Sequence, residues 1–287
     1  LTSMKMIKGN ILDCYPEYNK NKMILWISGK NKTYRIEEKY EPSFFTYSSK
    51  ENLYLLFSIL DRHPFVKKVN FTHKKIDLVS EKEKLILEIF PKNIGLLKKT
   101  AELVDRWGGF HKHRLFNVDV RIPTRFLEEK DIFFNSFVKY NKKNFFCDEK
   151  QWDTKYNHPN YKKIFLDAKQ KPKNKKPSFD VSISSILIDN YIIAEENETD
   201  TLLSAVKFIK ETDPDIIYTK NGDSFLFPYL FFRAKKLGIS SLFNLGREGQ
   251  KNNPSKKEKS YFSYGKIIYR PSFYILKGRA HIDKSNY

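Results

Sequence analysis

The 287-residue chain is short of cysteine, of long apolar runs and of acidic residues. Cys14 and Cys147 are its two cysteines, far apart and outside any CxxC pair. Two reduced thiols in a reducing compartment are therefore expected, rather than a disulfide framework or a zinc centre. The histidines offer no ligand cluster either, since His111-Lys112-His113 stands alone and reads as a basic surface patch. The longest apolar runs, such as ISSILI and YIIA, fall far below the roughly 20 residues a membrane span needs. The opening LTSMKMIKGN lacks the apolar segment of a secretory leader, so a soluble cytoplasmic protein is expected. Acids are outnumbered, 34 Asp and Glu against 53 Lys and Arg, for a formal net charge of +19. That excess favours a polyanionic partner, nucleic acid first, over the competing reading of a Lys/Asn composition bias.

What is present is a globular chain, with 40% hydrophobic and 15% aromatic residues, enough to build a core rather than a solvated tail. The first unit, residues 1–140, reads as mixed α/β. MILWISG and TYRIEEKY form a hairpin, and NLYLLFSILDRH is helical up to His63-Pro64. KLILEIF is a strand, and IGLLKKTAELVDRWGG is an amphipathic helix closed by a glycine pair. Residues 141–177 are polar and lysine-rich, and AKQKPKNKKP within them reads as a basic linker or exposed loop. Its other reading is a strip that tracks phosphates. The second unit, 178–287, opens with the strand SFDVSISSILI. A helix over TDTLLSAVKFIKETDPD follows, with Thr199 or Asp200 at its N-cap, then the strand DIIYTKNGD and the helix SFLFPYLFFRAKKLGI. YFSYGKIIYRPSFYILKGRAHID supplies a hairpin and a further strand.

DPDIIYTKNGDSFLFPYL, followed by KGRAHID, resembles the 3′–5′ exonuclease region of archaeal family B DNA polymerases. That family carries DPDxIxxYNGDxFDFPYL and later KGRxHxD. Asp213, Pro214, Asp215, Asn221, Gly222, Asp223, Phe225, Phe227, Pro228, Tyr229 and Leu230 fit the first pattern; Lys277, Gly278, Arg279, His281 and Asp283 fit the second. Near the amino terminus YEPSFF resembles FEPYFY, and LFNVDVRIPTRFLEEK resembles the family's strand and helix around YDIPFAKRYL. The resemblance implies a polymerase amino-terminal domain followed by an RNase H-like exonuclease-type domain, incomplete at its carboxyl end. The palm, fingers and thumb of such a polymerase, in the same or a second chain, would be its partner along with DNA. Beginning on Leu1 and stopping on Tyr287 reads as a fragment, a split gene product or an engineered piece.

Exonucleases of this type hold two divalent cations with carboxylates. The resemblance places the first acid motif, FDxE, at Phe179-Asp180-Val181-Ser182, so that Asp180 is the residual catalytic and metal-binding residue and Ser182 replaces the glutamate. The second motif, NxxxFD, reads Asn221-Gly-Asp-Ser-Phe225-Leu226, and an isobutyl group cannot hold magnesium. The third, YxxxD, is absent from the chain. Cleavage is therefore expected to be lost, with Mg2+ or Mn2+ required only if residual activity exists. Asp223 and Asp283 read first as structural acids. Binding is expected to survive, through Asn221 and Phe225 at a single-stranded 3′ end and through Tyr264, Arg270, Lys277 and Arg279. The competing reading for Phe225 is a core residue at the helix start. Uracil sensing through Pro91-Lys-Asn-Ile94 is implied by the resemblance, but Thr124 stands where the family has an aromatic. Two other functions remain open: an active exonuclease completed by residues or a subunit outside the chain, and a structural subunit of a split or inactivated polymerase.

Overall fold

A computed structural model describes residues 6–79, 82–155, 158–171, 178–249, 259–270 and 272–286. Two compact units emerge: one of Leu1–Gly29 with Thr33–Thr154, the other of Lys155–Tyr287 with Lys30–Lys32. The boundary thus falls inside the stretch expected to be a linker.

The first unit runs β1 (Ile7–Glu17), β2 (Lys22–Ser28), β3 (Thr33–Lys39), β4 (Phe44–Tyr47), α1 (Lys50–Leu60), β5 (Val66–Lys74), β6 (Lys84–Pro91), α2 (Leu97–Trp107), β7 (Arg114–Phe116), α3 (Ile122–Glu129), β8 (Phe137–Tyr140) and β9 (Phe145–Cys147). One antiparallel sheet has the order β3-β2-β1-β8-β9 and a second the order β5-β6-β4-β7. The hairpin read from MILWISG and TYRIEEKY is β2–β3. Met23 to Ile27 are all buried, as in a strand covered on both faces. Leu97, Ala101 and Val104 give α2 one apolar stripe at helical spacing, which packs on β6 and α1 through Leu87, Ile89, Leu53 and Leu56. β9 lies in what the sequence suggested was linker.

The second unit runs β10 (Lys163–Gln170), β11 (Ile183–Ile188), β12 (Tyr191–Ile193), α4 (Glu198–Thr212), β13 (Ile216–Thr219), α5 (Phe227–Lys236), β14 (Lys259–Ser263), β15 (Lys266–Arg270) and β16 (Ala280–Asp283). The main sheet has the order β12-β11-β10-β13-β16. β11 runs antiparallel to both β12 and β10, whereas β10, β13 and β16 run parallel. Parallel neighbours need crossover connections, and α4 and α5 supply them. Ile164, Leu166, Ile186, Ile188 and Ile217 point to one face and join Leu202, Val206 and Ile209 of α4 and Phe227 and Leu230 of α5 in a single core. Asn197, not Thr199 or Asp200, caps α4, because its side chain accepts from the Asp200 N–H at 2.9 Å. Asp213 ends that helix in the left-handed region at φ 45°. β14 and β15 form a separate hairpin turning at Tyr264 and Gly265, with φ 49° and 74°.

Candidate functional site

β13 delivers the chain into a five-residue π-type turn, Gly222–Leu226, before α5 begins. Asn221, left-handed at φ 54°, has a carbonyl that accepts from both Phe225 N–H (2.9 Å) and Leu226 N–H (2.8 Å). Phe227 N–H donates to Gly222 O, and such a wide turn inside a helix start is frequently a functional feature. Gly222 is required by space: a Cβ there would lie 1.9 Å from Thr219 Oγ1 and 2.7 Å from His281 Nε2. The turn drives Leu226 into the core, where it is 2% exposed. Phe225 is half-buried, stacked on Tyr229 with ring centroids 5.5 Å apart and edge-on to Phe179 at 5.6 Å. The core-residue reading of Phe225 is therefore the one the packing favours. Asn221 remains exposed, its N–H donating to Ser285 Oγ at 2.9 Å.

Behind the turn lies a buried polar cluster. Asp283 Oδ2 accepts from Asp223 N–H at 2.9 Å. Asp223 accepts in turn from Tyr274 N–H (2.8 Å) and Asn286 Nδ2 (3.1 Å). His281 lies beside Asp223, its Nδ1 3.5 Å from Asp223 Oδ1 and its Nε2 2.8 Å from Thr219 Oγ1. Burial raises the Asp223 carboxyl above its ordinary value, the Tyr274 N–H and the His281 charge opposing it. Burial lowers the His281 imidazole, against the pull of Asp223 and Asp283. Asp283 accepts from the backbone N–H of Asp223 and of Ser285, and Asp223 from Tyr274 N–H and the Asn286 side chain, so their observed role is to hold the turn in place.

The acid expected from the first motif lies elsewhere. Asp180 is in the bend before β11, off the sheet, with its side chain 78% exposed and 3.3 Å from Lys236 Nζ. Its carbonyl accepts from Arg233 Nη1 at 3.1 Å. This is a correction, with a topological reason. In an open parallel sheet, ligands gather at the carboxyl ends of the strands, and the first strand of this sheet is β10. On β10 the FDxE pattern is matched by Leu166-Asp167-Ala168-Lys169: the aspartate is kept and the glutamate has become lysine. Asp167 is half-buried, and its Oδ1 accepts from Ala168 N–H at 2.8 Å. The signal for it was the run Ile164-Phe165-Leu166 just upstream, outweighed by the surrounding lysines and asparagines.

Do these residues fit divalent cations? No group of three or more Asp, Glu, His or Cys side chains is placed to hold one among the described residues. Leu226 presents only carbon, Lys169 is cationic, and Asp223 and Asp283 are engaged. The donor set does not fit Mg2+ or Mn2+.

Of the other expected contacts, Tyr264 is fully exposed at the hairpin tip, and Lys277 is exposed while its carbonyl accepts from Arg247 N–H at 2.8 Å. The side chain of Arg270 lies outside the described residues. Arg279 is a second correction, since it is 4% exposed and faces inward. Its Nη1 donates to Asp213 Oδ1 (3.0 Å) and Pro214 O (2.5 Å). Arg247 completes the network, 2.8 Å from Asp213 and 3.0 Å from Asp215. Burial would raise the Asp213 carboxyl, but Arg247 and Arg279 outweigh it and hold it low. These four residues tie the start of β13 to the KGR turn. In the first unit, Ile94 is buried and its N–H donates to Asn21 Oδ1 at 2.9 Å, while Thr124 lies in α3.

The strand order of the second unit, with the turn over the carboxyl ends, is that of an RNase H-like fold. Residues 152–287 match the family described as DNA polymerase family B, exonuclease domain. A DNA polymerase of Pyrococcus horikoshii is 41% identical over 93 residues, which is 32% of this chain and 6% of that protein. DNA polymerase 1 of Pyrococcus abyssi is 40% identical over 93 residues, 32% of this chain and 10% of its own length. The chain thus matches only a small part of these relatives. In fold, it is similar across 98% of its length to 37% of the family B DNA polymerase of Pyrobaculum calidifontis, with a TM-score of 0.68 at 17% identity.

Proposed function

We propose that this chain binds single-stranded or primer–template DNA as the amino-terminal and exonuclease-like portion of a family B DNA polymerase, without proofreading cleavage. One observation carries the reading: Leu226, at the position of the second-motif carboxylate, is 2% exposed in an apolar core. Two-metal cleavage fails when the acids that set the in-line geometry are missing. The net charge of +19 supports retained binding to a polyanion. The palm, fingers and thumb of a polymerase are the partner this reading implies.

Titration of a labelled single strand at two salt concentrations tests it. Binding that weakens steeply with salt, and leaves the strand at full length in Mg2+, is the expected result. No binding at low salt contradicts the first half, and Mg2+-dependent shortening contradicts the second.

A further inference from the structure

We propose that the carboxyl ends of β10, β13 and β16 form a metal-independent seat for a backbone phosphate of single-stranded DNA, built from Lys169, Lys220 and Lys284. The proposal rests on the DNA-binding reading above and gives it a location. Register fixes the arrangement: Phe165, Tyr218 and Ile282 are partners across three parallel strands. Two residues further along the chain stand Asp167 on β10 and, one residue past the ends of β13 and β16, Lys220 and Lys284; two beyond Asp167 on β10 stands Lys169. With strands about 4.8 Å apart and a rise of about 3.3 Å per residue, the three lysine backbones fall within about 12 Å. Flexible four-carbon stems let their ammonium groups converge on one phosphate.

The face they share is the one opposite the core. Lys284 Nζ lies over the Phe165 ring at 5.1 Å and the Tyr218 ring at 5.4 Å, while Ile164, Leu166 and Ile217 enter the core on the other side. Strand alternation puts Asp167 and Lys169 on the Phe165 side. All three lysines are exposed, and Asp167 is the acid in register with Lys220 and Lys284. Two of them stand at positions where the polymerase patterns carry other chemistry: Lys169 at the glutamate of FDxE, Lys220 at the tyrosine preceding NGD. Where acids would gather divalent cations, which then hold a phosphate, this sheet supplies fixed cations of its own. The phosphate then needs no metal between it and the protein.

Anisotropy of a 5′-labelled oligothymidylate of about 15 nucleotides tests this, at constant ionic strength in EDTA and in Mg2+. Wild-type affinity is expected to agree within about twofold between the two. Lys220→Ala with Lys284→Ala is expected to weaken binding about tenfold or more and to reduce the log–log salt slope by about 1.4. Lys98→Ala with Lys207→Ala, exposed lysines on α2 and α4, removes the same charge and is expected to cost less than about threefold. Binding lost in EDTA or equal weakening by both pairs overturns the seat while leaving DNA binding intact. Absence of wild-type binding at low salt overturns the DNA-binding reading itself.

Discussion

Asp283 accepts the backbone N–H of Asp223 at 2.9 Å, so the last strand of the sheet grips the turn that carries Asn221 and Phe225. His281, 3.5 Å from Asp223, is held below its ordinary 6.5 by burial. As pH falls through 6.5 the unfolded chain takes up a proton before the folded chain does, so stability is lost toward acid and is complete above 6.5. Asp223 acts in the opposite sense: its raised carboxyl favours the folded state at low pH, and that contribution fades as pH rises through its folded value. Urea unfolding at about pH 5.5 and 7.5 should show wild type gaining stability at the higher pH, and His281→Gln gaining less. An identical gain in both proteins would remove His281 from the account.

Arg233 Nε donates to Glu198 Oε1 at 2.7 Å, and the two side chains are 7% and 9% exposed. Glu198 also accepts from Ile183 N–H at 2.9 Å, so the pair links α5, α4 and β11. Arg233→Ala strands a buried carboxylate and should cost about 3–5 kcal/mol. Arg233→Met with Glu198→Gln should recover part of that loss. Chemical denaturation checks both; a single-variant cost under about 1 kcal/mol would contradict the burial.

Leu226→Asp restores the side chain of the second motif without restoring its surroundings. A carboxylate placed in this core should destabilise the chain by at least ~3 kcal/mol. It should not produce Mg2+-dependent shortening of a 3′-recessed primer, because Lys169 still stands beside Asp167. A stable variant that trims primer would show that restoring one acid beside Asp167 rebuilds a working metal site.

Gly222→Ala tests the turn itself. The added methyl meets Thr219 Oγ1 and His281 Nε2 inside contact distance, so a loss on the order of 1–3 kcal/mol is expected. An unchanged melting temperature would mean that the turn shifts freely.

The parallel end of the second unit was legible because its motifs are local. Asp213-Pro214-Asp215, Asn221-Gly222-Asp223 and Lys277-Gly278-Arg279 each read correctly as sequence, and the structure brings them to one end of a sheet or the other. What was hidden depends on partners distant in sequence. Arg279 looked like a surface cation until Asp213, 66 residues earlier, was found at 3.0 Å. β10 was lost inside a lysine-rich stretch because its exposed residues, Lys163 and Lys169, read as linker, although Ile164 and Leu166 are buried. Asp180 took the place of Asp167 for the same reason: Phe179-Asp180 satisfies the pattern, but only strand pairing tells which aspartate stands beside β13.

One gel decides whether this chain grips DNA without cutting it. A 5′-labelled single strand is incubated with the protein in Mg2+ and run both native and denaturing. The account predicts a shifted native band and a single full-length denatured band. A ladder of shortened products in Mg2+, absent in EDTA, would contradict it.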